Sequence, residues 1–274
     1  MKKISQLLTS ALILMMLASC VTATRVPITG RKQRLSVSDE QMLSLSASQY
    51  KEYLGSAKKS TNATNTAMVQ RVGQKLANAV VTYLANNGYA DEVKNYAWEF
   101  NLVQSNSVNA FCMPGGKIVV FEGMLPVTQD EASLAIVLGH EIAHAVAKHS
   151  AEQMSKQKNQ SILASLGTSI LAAKAGNEAA QLASSVASTG LTFLNAHYSR
   201  DNESEADHMG LIFAAMAGYD PNTAVTFWQR MSQASGGGSA SLLQTYLSSH
   251  PSDAKRMTDI KRWLPEAMKY YKAK

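Results

Sequence analysis

The 274-residue chain has only two cysteines, Cys20 and Cys112, so no framework of disulfides underlies its fold. A chain of about 250 residues needs none, because it can bury a large core. Cys112 reads as a small buried apolar residue, and nothing around it resembles a thiol-protease context. The chain also lacks any run of about 20 apolar residues, which excludes a comfortable membrane-spanning helix. One-sided charge is scarce: the formal net charge is +6, and it falls by two if Lys2 and Lys3 are removed. No basic cluster is interleaved with aromatics, which argues against nucleic acid as a partner. A G-x-S-x-G elbow is missing, and with it the signature of a serine esterase. There is no internal repeat and no sign of a second domain.

What is present begins at the N-terminus. Met1-Lys2-Lys3 is a basic start, followed by an apolar stretch from about Ile4 to Ala18. Leu17-Ala18-Ser19-Cys20 then resembles a bacterial lipobox. That resemblance implies cleavage before Cys20 and lipid attachment to it, anchoring the protein at about 0.8 kcal/mol per buried CH₂. Val21, rather than Asp, after the cysteine resembles outer-membrane sorting. The alternative is an ordinary secretory signal. The chain thus divides into a lipoprotein signal peptide (1–19), a lipidated tether without periodicity (20–37) and one domain (38–274).

Within that domain, Met42, Leu43, Leu45 and Tyr53 have helical spacing, with Ser38 and Gln41 placed for a capping box. Val69, Val72, Leu76, Val80 and Leu84 predict an amphipathic helix over 66–85. The period then changes. Residues 98–102 alternate as a half-buried strand does, and 108–113 and 117–121 are strand-like around Pro114-Gly115-Gly116. The rest predicts helices over about 129–155, 160–175, 178–196, 200–217, 221–233, 251–262 and 265–272, with a loop at Gly236–Gly238. The alanine- and serine-rich stretch 161–194 predicts a helical hairpin, either covering a cleft or purely structural. The fold class is α+β: mainly helical, with a small, mainly antiparallel sheet.

The most informative residues are His140-Glu141-Ile142-Ala143-His144, an H-E-x-x-H sequence within an apolar helix. At about 100° per residue, positions 140 and 144 share a face, where two imidazoles can hold one zinc ion beside Glu141 as proton acceptor. Thr128 and Glu131 are placed to start this helix as a capping box. The small Gly139 and Ala143 permit close approach by a neighbour. A catalytic zinc site has a third protein ligand and an open position. The densest charged cluster downstream is 198–207, where Glu203 and Asp207 share a helical face and Glu205 points elsewhere. By charge pattern alone, Glu203 reads as part of a solvated acidic helix start, favoured by the dipole.

Taken together, Asn109-Ala110-Phe111 with Pro114-Gly115-Gly116, His140 to His144, Ser199-Arg200 through Glu203-Ser204-Glu205-Ala206-Asp207, and His250-Pro251 with Arg256 resemble a known family. It is the zinc endopeptidase family of the HtpX heat-shock protease and CAAX-prenyl protease type, peptidase family M48. Within it the chain is similar to the soluble periplasmic lipoprotein branch of LoiP-like and BepA-like proteins. The resemblance covers nearly all of 38–265.

It implies a zincin-like (gluzincin) domain with one zinc per chain, held by His140, His144 and Glu203. Glu141 would be the catalytic base. Asp207 would orient a ligand histidine, and Arg200 would pair with acidic neighbours. His250 is the best candidate for an extra catalytic donor, or for a ligand in a closed resting state. Arg256 would anchor the local structure or engage a carboxylate. Asn109 and Ala110 are expected on an edge strand that binds substrate in extended form. The implied function is hydrolysis of misfolded or stalled envelope proteins at the periplasmic face of a Gram-negative outer membrane, with the outer-membrane assembly machinery as a partner. A latent protease acting as a chaperone-like binding protein is the alternative.

Overall fold

The computed structural model describes residues 22–160, 193, 197–235, 240–250 and 254–272. The signal 1–19, the lipidation candidate Cys20, Gly236–Gly238, Pro251 and, Phe193 aside, the stretch 161–194 lie outside the described residues.

The segment expected to be a tether is folded. Strands β1 (Thr22–Arg25) and β2 (Lys32–Leu35) pair antiparallel, with Thr22 opposite Leu35. Val26, Gln33 and Leu35 are buried. The inward face of β2 is carried by only one amide and one leucine, so its two-residue period is too short and too polar to stand out in the sequence.

Helix α1 (Asp39–Ser56) starts with the expected capping box: Ser38 Oγ accepts from the Gln41 N–H, and Gln41 Oε1 accepts from the Ser38 N–H. Helix α2 (Ala63–Asn86) fully buries the predicted stripe of Val69, Val72, Leu76, Val80 and Leu84. One helical turn, α3 (Ala90–Val93), leads into strands β3 (Glu99–Val103), β4 (Ala110–Met113) and β5 (Lys117–Phe121). Their order is β3-β5-β4, so β4 is an edge. β4 and β5 form a hairpin through Gly115 and Gly116, both at positive φ. β3 runs parallel to β5, which makes this sheet mixed; β1–β2 and β4–β5 are antiparallel.

A second single turn, α4 (Leu125–Thr128), precedes the central helix α5 (Glu131–Val146). Both ends of α5 differ from expectation. Its cap is Asp130, whose Oδ1 accepts from the Ser133 N–H at 2.7 Å. Thr128 instead belongs to α4, its hydroxyl donating to the Leu125 carbonyl. Gln129, at φ +67°, separates the two helices. At the other end the expected 129–155 helix breaks: Lys148 adopts φ +55°, its ammonium held by Asp39 and Glu92 at 2.7 Å each. Helix resumes over 149–160. Every residue from Ser133 to Val146 is buried, so α5 is packed on all sides rather than amphipathic.

Helix α6 (Arg200–Met216), capped by Ser199, lies against α5. Helices α7 (Thr223–Ser235), α8 (Ala240–Ser249) and α9 (Ala254–Ala267) complete the described elements. α8 lies where the sequence predicts no element, and α9 runs through Pro265, where a helix boundary is expected. No helix among the described residues is long and apolar enough to cross a membrane.

α5 and α6 meet backbone to backbone. A Cβ on Gly139 would lie 2.7 Å from the Gly210 carbonyl oxygen, and one on Gly210 would lie 2.7 Å from the His140 nitrogen. Both obstacles are backbone and cannot rotate away. Gly210→Ala is therefore expected to destabilise the fold by about 1–3 kcal/mol, as overpacking does. Chemical denaturation of parent and variant measures this, and an unchanged midpoint would refute the contact.

Candidate metal centre

His140 and His144 project from one face of α5, with their Nε2 atoms 3.0 Å apart. Glu203 reaches them from α6: its Oε2 is 3.4 Å from His140 Nε2 and its Oε1 is 3.3 Å from His144 Nε2. His250, at the end of α8, brings Nδ1 to 3.2 Å from His140 Nε2 and 3.1 Å from Glu203 Oε1. One donor atom from each of these four buried residues lies within 4.8 Å of the others. Three imidazoles and a carboxylate converging in a buried interior form a donor set suited to a cation, since burying a carboxylate costs several kcal/mol unless it is paired or coordinated.

The electrostatics agree. Burial disfavours a protonated His140, but hydrogen bonds to Asp207 and Glu203 outweigh it and raise its pKa to about 9. A field that holds a proton there also favours a dication. Burial opposes ionisation of Glu203, yet His250 and His144, with the hydrogen bond to His140, hold its carboxyl well below the usual range. Burial drives His144 the other way, well below an ordinary histidine. Glu141 is buried and its proton affinity is raised by that burial. Its Oε1 has no hydrogen-bond partner among the described residues. His250 Nε2 stands 3.6 Å from it. This orphaned oxygen beside the donor cluster fits a proton acceptor for a water at a metal.

Asp207 lies behind His140. Its Oδ1 is 2.9 Å from His140 Nδ1, which leaves His140 Nε2 to face the cluster. Arg256 grips the same carboxylate from α9, with Nε 2.6 Å from Oδ2 and Nη2 2.7 Å from Oδ1. Its guanidinium carbon lies 3.6 Å from the Trp228 ring centroid. Burial opposes the Asp207 charge, and Arg256 and His140 overcome it, lowering its pKa.

Arg200 does not do what is expected. It is exposed at the first turn of α6 and makes no ion pair among the described residues. It borders the same cavity as Glu203 and Asp207, but Arg256 fills the inner position. Asn109 and Ala110 lie at the start of edge strand β4, which packs along α5, and both are buried. The Ala110 N–H donates to Asn109 Oδ1, and the Val108 N–H donates to the Leu242 carbonyl of α8. In this conformation these edge donors are already engaged.

Two residues at the site carry no assignment from the sequence. Tyr198 stacks on His144, with centroids 4.1 Å apart. His149 brings Nδ1 to 2.8 Å from His144 Nδ1 and Nε2 to 2.9 Å from Glu205 Oε2. Glu205 does point away from the cluster, and its pKa falls to about 2: burial opposes, but His149, Arg31 and Thr29 all donate to it. The signal available in the sequence was a third histidine close behind the H-E-x-x-H.

The sequence pattern of Peptidase family M48 matches residues 63–264, and the chain belongs to that family. It is 36% identical over 245 residues to the mitochondrial metalloendopeptidase OMA1 of Schizosaccharomyces pombe, covering 88% of this chain and 66% of that one. To the human metalloendopeptidase OMA1 it is 30% identical over 245 residues, 89% of this chain and 46% of the relative. A bacterial relative, the putative beta-barrel assembly-enhancing protease of Vibrio cholerae, is 34% identical over 184 residues, 65% of this chain and 37% of its own length. The chain thus spans between about a third and two thirds of these relatives.

Arg256→Met would leave the Asp207 carboxylate buried without its cation. The expected loss is about 3–5 kcal/mol of unfolding free energy near neutral pH. Because Asp207 is held below the ordinary value, its contribution is present above about pH 4 and disappears as pH falls through its lower folded value. The deficit of the variant should therefore shrink on acidification; urea titrations at several pH values would read it, and a pH-independent gap would contradict the pairing.

Proposed function

We propose that this chain is a zinc-dependent endopeptidase, with one zinc per chain held by His140, His144 and Glu203. The observation that carries the reading is the buried donor cluster with the unpartnered Glu141 oxygen beside it. The nitrogen-rich donor set favours zinc over calcium or magnesium, which prefer oxygen. When bound, the ion polarises a substrate carbonyl and acidifies water. Glu141 accepts the proton of the attacking water and returns it to the leaving amine; its burial raises its proton affinity toward that task. Asp207 fixes the His140 ring through Nδ1, and Arg256 fixes Asp207. The edge of β4 at Asn109 and Ala110 receives an extended peptide once its own bonds are released.

His250 supports a second reading, a latent protease that mainly holds clients. Its Nδ1 lies within the donor set, so this conformation has four candidate ligands rather than three and an open position. On the first reading His250 withdraws and then stabilises the developing oxyanion as a donor.

Zinc content and casein cleavage of the parent, measured beside Glu141→Gln and His250→Ala, separate these. One zinc per chain throughout, with cleavage lost in Glu141→Gln, is the expected outcome. Removing an oxyanion donor costs about 10²–10³ in kcat, so His250→Ala is expected to fall by that factor. Cleavage appearing only in His250→Ala would favour the latent form. A zinc-free parent from metal-replete preparations would sink both.

The cellular setting is also proposed. Leu17-Ala18-Ser19-Cys20 supports a lipid anchor, and the bacterial relatives are named for beta-barrel assembly. Misassembled outer-membrane proteins at the periplasmic face are then the substrates, and the assembly machinery the partner. Replacing Cys20 by serine should abolish labelling by radioactive palmitate and move the protein out of the membrane fraction. Retained label would refute the anchor.

A further inference from the structure

The two ligand histidines of α5 are held differently. His140 Nδ1 meets a carboxylate directly, whereas His144 Nδ1 meets another imidazole. His144 turns Nε2 toward His140 and Glu203. For that nitrogen to offer a lone pair, the single proton of a neutral ring must sit on Nδ1. The acceptor there is His149 Nδ1, 2.8 Å away. His149 must then carry its own proton on Nε2, where Glu205 Oε2 accepts it at 2.9 Å. Glu205 is in turn held by the Thr29 hydroxyl and by Arg31 Nε at 2.8 Å, both in the turn between β1 and β2. Arg31 also reaches Glu152 at 3.0 Å. One assignment of protons satisfies the whole chain.

The backbone is shaped for this contact. In an unbroken helix, residues 144 and 149 would point about 140° apart. The left-handed Lys148 re-aims the following helix, and the two rings meet with centroids 4.8 Å apart. A non-glycine residue at positive φ is strained and persists where its surroundings enforce it. Asp39 and Glu92 do so here through the Lys148 ammonium.

From this geometry we infer that His149 and Glu205 are positioning residues for the metal ligand His144, and that the β1–β2 hairpin, through Thr29 and Arg31, belongs to the metal centre. This rests on reading the cluster as a metal site. The relay sets the tautomer and aim of His144, as Asp207 does for His140. It also accounts for all three acids of the 203–207 stretch: Glu203 faces the donor cluster, Asp207 holds one histidine, and Glu205 holds the other through His149.

The test is zinc affinity of the full chain in detergent, by competition with a fluorescent chelator, together with thermal unfolding of the metal-stripped protein. His149→Phe removes the acceptor and should weaken zinc binding by about 10–100-fold. His149→Gln can accept with its carbonyl and donate with its amide, and should recover most of that loss. Arg31→Met should produce a smaller loss in the same direction. Unchanged affinity in His149→Phe would overturn the inference. So would a loss that His149→Gln does not restore and that is matched by an equal destabilisation of the stripped protein, since that describes packing alone. A parent that binds no zinc would instead refute the metal-site reading. In that case ¹⁵N spectra of the imidazoles in the stripped protein decide the relay: His144 protonated on Nδ1 and His149 on Nε2 support it, and the opposite tautomers overturn it.

Discussion

Everything at the centre depends on how closely α5 and α6 approach. Two glycines, Gly139 and Gly210, let the helices touch backbone to backbone beside the first histidine. This distance brings Glu203 within 3.4 Å of both ligand nitrogens although it comes from a different helix. Carboxylate and imidazole side chains are short, so a wider crossing would leave the donors apart. The contact also holds the site rigid, because close-packed backbones have no rotamer to yield.

That rigidity is needed because the interior carries an unusual load of charge. Glu141, Glu203, Glu205, Asp207 and Arg256 are all buried. Isolated charges in such a place are costly, and each of the last four has opposite charges or imidazoles against it. Glu141 is less well held: His250 Nε2 stands 3.6 Å from its Oε1, which has no hydrogen bond among the described residues, and burial raises its proton affinity. A buried polar atom left without a hydrogen bond calls for an explanation, and a catalytic role is one. Here that atom belongs to the Glu141 carboxylate, next to the donor cluster.

Much of this was legible in the sequence, and the failures have common causes. The stripe on α2 and the capping box of α1 rest on local periodicity and local hydrogen bonding, which sequence carries directly. His140 and His144 were legible from their spacing, and Glu203, Asp207 and His250 only through the family resemblance; the fold brings the five together. Arg200 and Arg256 could not be ranked: which arginine reaches a buried carboxylate depends on helix packing, not on charge pattern. The break at Lys148 was hidden because its cause lies in Asp39 and Glu92, far away in the chain. Since the break was hidden, His149 was hidden with it. The β1–β2 hairpin was not legible because it buries only a few residues, Val26, Gln33 and Leu35 among them, and its Thr29 and Arg31 bond to a carboxylate far away in the chain.

Those distant bonds separate two notions of a domain. The stretch that the family pattern matches, 63–264, contains the four candidate donors and Glu141. The cooperative unit is larger. Thr29 and Arg31 lie outside that stretch and are bonded to a carboxylate on the same helix as Glu203. Asp39, also outside it, fixes the lysine at which the helix turns. A border drawn at the ends of that match would cut through salt bridges and leave Glu205 a buried anion short of its counter-charge. The span that the family pattern matches and the span in which the charges balance do not coincide in this protein.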